Sequence, residues 1–138
     1  MATEKTITQN LTLIEYYKEQ LNSLEMQLQI SQSALTDYTK AKLTLEHLSK
    51  ATKENDILIP IGGGTFIKGT LGEKEKILTD IGAGIVTEKP LKDALAKVDE
   101  RIQLMQSNRD KLINLAQKIQ TEAAELSQKT QELMQQTQ

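Results

Sequence analysis

The chain has no cysteine, so no disulfide framework holds it, and the absence fits a reducing intracellular compartment. Aromatic residues are almost as scarce. Phe66, Tyr16, Tyr17 and Tyr38 make up 3% of the sequence, too few for the core of a large globular domain. Charge of one sign is lacking as well: 17 basic residues against 19 acidic ones leave a formal charge of −2, with no broad basic field to draw phosphate backbones. No apolar run approaches the roughly 18 residues needed to span a bilayer, and the polar start from Met1 to Asn10 does not read as a secretory signal. These absences point to one soluble, cytoplasmic domain that binds neither membrane nor nucleic acid.

Glycine and proline are missing from most of the chain. All 7 glycines and both prolines lie between Pro60 and Pro90. Glycine costs a helix about 1 kcal/mol and proline about 3 relative to alanine, so this confinement marks where helix must stop and resume. What remains on either side is rich in Leu, Ile, Gln, Lys, Glu and Ala, a composition suited to long helices that bury a narrow stripe. The expected order is an N-terminal helix over 1–54, a double β-hairpin insert over 55–88 and a C-terminal helix over 89–138. Together they form a single α+β, mainly α, domain.

Both arms carry heptads. From Leu91 the alternating steps of four and three reach Leu95, Val98, Ile102, Met105, Arg109, Leu112, Ala116, Ile119, Ala123, Leu126, Thr130, Leu133 and Thr137. Only Arg109, Thr130 and Thr137 interrupt the apolar stripe. Such a seam at a mean spacing of 3.5 is the pattern of a coiled coil. In the N-terminal arm Ile7, Ile14, Leu21, Leu28 and Leu35 recur every seven residues, with Tyr17, Leu24, Tyr38 and Leu45 three further on and Asn10, Ser31 and Lys42 as polar faults. Pro90 suits a first helical position, and Asp93 with Lys97 and Glu125 with Lys129 have the favourable i, i+4 order. At 1.5 Å per residue each arm is roughly 70 Å long, and the matched lengths predict an antiparallel hairpin of helices. The chain ends then meet at a tip away from the β insert, with Leu11 near Leu133.

The insert splits into two hairpin patterns. Ile57 to Ile61 and Thr65 to Thr70 flank the turn Gly62, Gly63 and Gly64; Ile77 to Ile81 and Ile85 to Thr87 flank Gly82, Ala83 and Gly84, after a charged connection from Gly72 to Lys76. Pro60 demotes its strand to an edge or a bulge. Alternation puts Ile57, Ile59 and Ile61 on one face and Leu58 on the other, and sets Ile77 and Ile81 against Leu78. Both faces are thus apolar. An isolated hairpin is marginal in water and no spare helix exists to cover one, so other subunits must, which makes Ile57, Ile59, Ile61, Phe66, Ile67, Ile77, Ile81 and Ile85 the candidate assembly residues.

Two heptad arms around ILIPIGGGTFIKGTL and KILTDIGAGIVTEKP resemble prefoldin, and within it the α class, whose insert has two hairpins where the β class has one. The telling elements are Ile59 to Gly62, the Phe66-Ile67-Lys68-Gly69 strand and Asp80 to Gly84. The resemblance implies a double β-barrel platform built from two α and four β subunits, a second copy of this chain among them. Six coiled coils then hang from it, capture unfolded proteins at their tips and pass them to a group II chaperonin without ATP or any cofactor.

Sharper chemistry fails on spacing. A phosphate loop counted from Gly64 reaches Gly69 and then Thr70, where lysine is required, and Gly82-x-Gly84 leads to Thr87 where a dinucleotide fingerprint needs glycine. Tight turns explain both. His47 is the single histidine, and without cysteine nearby no metal site is expected. Glu15, Glu19, Asp99 and Glu100 read as solubilising carboxylates on helix exteriors rather than as acid and base, so no catalytic residue is expected. Arg109 in the seam reads either as a register-setting polar residue or, by slight preference, as one that snorkels to solvent along its aliphatic stem. Ile7, Leu11, Leu13 and Ile14 on one arm, and Leu126, Leu133 and Met134 on the other, exceed what a two-helix seam hides at its end, and form a candidate surface for unfolded clients. The competing reading is a scaffold whose hairpins drive filament or adaptor assembly. A nucleic-acid-binding zipper is third, since no basic stretch precedes either heptad run.

Overall fold

The computed structural model describes residues 2–50, 55–73 and 76–136. Helix α1 covers Ala2–Lys50 and helix α2 covers Leu91–Gln136, with four strands between them: β1 (Asp56–Gly62), β2 (Thr65–Thr70), β3 (Ile77–Gly82) and β4 (Ile85–Lys89). The strands pair as two separate antiparallel hairpins, β1 with β2 and β3 with β4. Thr137 of the heptad stripe and the middle of the charged connection, 74–75, lie outside the described residues.

The chain divides into two compact units. One joins 1–34 to 105–138; the other spans 35–104 and contains both hairpins. In the first, Tyr17 lies beside Glu122. Leu24 shares a groove wall with Ile119, and Leu28 with Ile113. As the α1 number rises the α2 number falls, so the helices run antiparallel. Carried on at this stagger, Leu11 comes opposite 128–132, within about one helical turn of the expected neighbour Leu133. In the second unit the order is the same: Tyr38 accepts from Arg101 and Lys42 pairs with Asp99.

Burial follows the heptads closely. Leu24, Leu35, Leu91, Ile102 and Ile119 are buried, and the remaining stripe positions within the described residues are at most half-exposed. The seam is narrow because each helix offers only two of every seven residues. Among the described residues Thr130 is its one buried polar side chain, 2% exposed, and its hydroxyl donates to the Leu126 carbonyl at 2.7 Å. The local bond removes the cost of an unpaired hydroxyl.

Three local expectations change. Pro90 stands one residue ahead of helix α2, where its carbonyl accepts the bond from the Ala94 N–H at 3.0 Å, as an N-cap carbonyl does. Lys97 pairs with Glu100 at 3.8 Å rather than with Asp93. Asp99 is no mere solubilising carboxylate: it accepts a hydrogen bond from Lys42 Nζ at 2.7 Å across the helix pair and another from Gln103 at 3.2 Å. Heptad reading treats Lys42 as a fault; a partner on the opposite helix makes it a tie. Arg109 is half-exposed beside Leu28 and turns its guanidinium to Asp110 at 3.5 Å, the snorkelling arrangement.

Candidate functional site: the paired hairpins

Each hairpin is built from a two-residue turn and a bulge. Gly63 and Gly64 have φ of 57° and 72°, and Ala83 and Gly84 have φ of 53° and 76°, which is the left-handed pair that matches strand twist. In both hairpins the register slips by one residue just before the turn, between Pro60 and Gly62 and between Asp80 and Gly82. Ile61 and Ile81 are therefore the extra residues of bulges. Simple alternation no longer assigns either to the face inferred from residue parity, because a bulge interrupts the period of two. Pro60, paired with Phe66 next to its bulge, stands where a missing N–H is tolerated. In the second hairpin Asp80 Oδ1 accepts the Gly82 N–H at 2.8 Å and fastens the bulge from within the strand. β4 runs on to Lys89, two residues past its expected end at Thr87.

The strand faces are uncovered in the single chain. Ile59, Ile61, Phe66, Ile67, Leu78, Ile81, Ile85 and Val86 are all exposed, from 46% at Ile59 to 67% at Leu78. Ile57 and Ile77, near the hairpin bases, are half-buried. Ile57 and Ile59 lie together over Gly69, whose added Cβ would come 3.7 and 3.3 Å from their side chains, so the shared face expected for that pair exists. One consequence of alternation was missed in β4: Val86 is as uncovered as Ile85.

The second hairpin also touches the helices. Ile77, Leu78, Thr79 and Asp80 of β3 line a groove of about 470 Å³ with Tyr38 and Leu45 of α1 and Ala94, Val98 and Arg101 of α2. Alanine at positions 41 and 94 keeps this wall shallow.

The other candidate surface is the end of the helix pair carrying both termini. Ile7, Ile14, Leu126 and Leu133 are seam residues, each half-buried, whereas Leu11, Leu13 and Met134 are exposed, Leu11 at 44%. The helices also carry exposed apolar residues that heptad reading passed over. Ile30 at 70% and Met26 at 64% are the most open, and Tyr16, Leu104 and Leu115 are exposed too. Their signal was in the sequence as apolar residues off the a and d positions. Among the described residues, no group of three or more His, Cys, Asp or Glu could hold a metal ion, and no helix is long and apolar enough to cross a membrane.

Two long antiparallel helices with two hairpins between them define a class of protein, the coiled-coil subunit with a double β-hairpin insert. The prefoldin subunit family model matches residues 17–136. A prefoldin subunit alpha of Methanocorpusculum labreanum is 30% identical over 88% of this chain and 83% of its own length, and prefoldin subunit 5 of Arabidopsis thaliana is 31% identical over 86% and 79%. A prefoldin subunit alpha of Archaeoglobus fulgidus, 26% identical, is covered over 93% of both chains. Two solved structures share the fold at a TM-score of 0.60: a filamentous prefoldin from Methanocaldococcus jannaschii, 19% identical and covering 88% of this chain and 94% of its own, and a prefoldin β subunit from a Thermococcus strain, 18% identical over 91% and 90%. The chain belongs to the prefoldin family.

Proposed function

We propose that this chain is the α-class subunit of a prefoldin, a co-chaperone that captures unfolded protein without ATP, metal or cofactor. The family match and the α-subunit relatives favour this role over the filament scaffold. The observation that carries the assembly half of the reading is the exposure of Ile59, Ile61, Phe66, Ile67, Leu78, Ile81, Ile85 and Val86 on the two hairpins. A two-stranded sheet open on both faces is marginal alone, so its burial belongs to other subunits.

The intended partners are β-class prefoldin subunits and a second copy of this chain, two α with four β, in the cytoplasm. Helices and hairpins act as one domain in this reading. The helix ends, through Ile7, Leu11, Leu13, Ile14, Leu126, Leu133 and Met134, hold unfolded clients destined for a group II chaperonin. The hydrophobic effect supplies the driving force. Leucine and methionine adapt to unrelated partners, which suits weak capture of many chains.

The test is native mass spectrometry of the chain alone and with the β-class subunit of its own genome, followed by suppression of aggregation of a denatured model protein in nucleotide-free buffer. A closed hexamer that protects without nucleotide supports the reading. An open-ended polymer without protective effect supports the scaffold instead.

A further inference from the structure

We propose that Arg101 is a positioning residue that clamps the second hairpin to the helix pair and so sets the direction in which β3 and β4 are presented for assembly; the proposal rests on the assembly role of the hairpins given above. The geometry is a three-element junction. From α2, Arg101 Nη1 donates to the Tyr38 hydroxyl of α1 at 3.1 Å, and Nη2 donates to the backbone carbonyl of Asp80 in β3 at 3.2 Å. Its guanidinium carbon lies 5.8 Å from the centre of the Tyr38 ring, within reach of a cation–π attraction.

The place at which the hairpin is gripped gives the clamp its leverage. Asp80 is the last paired residue before the bulge, and its own carboxylate holds the Gly82 N–H at 2.8 Å. One residue therefore has its side chain committed to the bulge and its carbonyl committed to the helices. Ile81, the bulged residue exposed at 47%, follows directly. Beneath the clamp Ile77 and Leu78 line one groove with Leu45, Ala94 and Val98 of the helices, all aliphatic groups. Such contacts attract but do not fix an angle, since dispersion and burial are non-directional. A planar guanidinium with two N–H groups spent on two different elements is directional. Lysine cannot replace it fully, because a single ammonium on a flexible stem does not span the two acceptors with the same fixed fork.

Arg101→Met keeps the aliphatic stem and removes both bonds, and Tyr38→Phe removes one acceptor while keeping the ring. Both variants are compared with the parent by amide hydrogen exchange, helix melting and titration of assembly with the β-class subunit of the same genome. Arg101→Met is expected to speed exchange across Thr79 to Thr87 about ten-fold, leave Ile57 to Thr70 and the helix melting unchanged, and weaken assembly about ten-fold, the scale of one lost charged hydrogen bond. Tyr38→Phe and Arg101→Lys should fall between Met and the parent. Unchanged exchange in the second hairpin of Arg101→Met overturns the clamp. An Ile81→Asp variant separates the two levels. Full assembly of Arg101→Met alongside failure of Ile81→Asp refutes the positioning role alone, and full assembly of both refutes the hairpin reading and the clamp with it.

Discussion

Among the described residues, Ala83 is the one non-glycine with a positive φ. It takes a φ of 53° at a turn position that the first hairpin gives to Gly63. An L-residue with a Cβ loses roughly 1 to 2 kcal/mol in the left-handed region, while glycine adds back part of that as chain entropy, about 0.5 to 1 kcal/mol. Ala83→Gly is therefore expected to stabilise the second hairpin by about 0.5 to 1 kcal/mol. Slower amide exchange in β3 and β4 would register the gain; faster exchange would show that the turn is held by something other than its φ angles. Lys42 and Tyr17 set a second expectation at this scale. The hydrogen bond to Asp99, aided by that carboxylate's charge, raises the Lys42 pKa; burial, with the Glu122 carboxylate nearby, raises that of Tyr17. In both cases the folded state holds the proton more tightly than the unfolded chain. The associated stability is complete below the ordinary values, near 10 for both groups, and is lost as pH rises through the raised folded values. Denaturant melts followed by circular dichroism should show a fall in stability above about pH 10, smaller in a Lys42→Met, Tyr17→Phe double variant. An equal fall in the double variant would assign the effect to other groups.

Among the elements, the hairpins and the helices are expected to fail separately. Ile59, Ile61 and Ile81 sit on strands whose apolar faces are open in the single chain. Replacing all three by aspartate puts charge where a partner is to bury aliphatic surface, and each lost side chain costs on the order of 1.5 to 3 kcal/mol of association before the buried charge is counted. Light scattering should show released subunits, while far-ultraviolet circular dichroism keeps its helical signal, because the seam residues of α1 and α2 are untouched. An intact oligomer would remove the strands from the interface. The helix seam has its own test at Thr130, whose buried hydroxyl is spent on the Leu126 carbonyl. Thr130→Val keeps the shape and replaces a locally satisfied polar group by an apolar one in a seam. The expected change is a gain of up to about 1 kcal/mol in thermal or urea melts, since the lost bond is intrahelical and bends rather than braces the helix.

For the whole molecule, the expectation concerns capture. Leu11, Leu13, Leu133 and Met134 lie in the unit that holds both helix ends, and Met26 and Ile30 lie in the same unit at more open positions. Serine at the first four should lower protection of a denatured model protein while leaving assembly size and helicity nearly unchanged, because terminal turns contribute least to global stability. In the proposed assembly several subunits act together, so weak contacts would multiply through effective concentration and a partial loss per subunit would become a large loss per assembly. Serine at Met26 and Ile30 is expected to have the smaller effect, since apolar residues in small numbers on a helix exterior are ordinary. The reverse ranking, measured by light scattering of the aggregating client, would move capture from the ends to the helix sides.

The elements themselves are legible in the sequence because they depend on local energies and on period. Glycine and proline confined to 60–90, and apolar residues every 3.5 positions outside it, determine two helices, two hairpins and the seam residues, since each follows from backbone propensity and from which face repeats. The open strand faces were legible as well, because alternation and the lack of a covering helix are properties of the pattern. Only the folded chain decided the rest. The stagger of α1 against α2, the Lys42–Asp99 tie, the bulges at Ile61 and Ile81, and Arg101 spanning Tyr38 and Asp80 depend on side chains far apart along the chain, 63 positions for Arg101 and Tyr38, or on a one-residue slip of register. A heptad repeats unchanged when one helix slides by a turn past the other, so it cannot choose among registers; the tertiary contacts break that degeneracy by placing specific donors opposite specific acceptors.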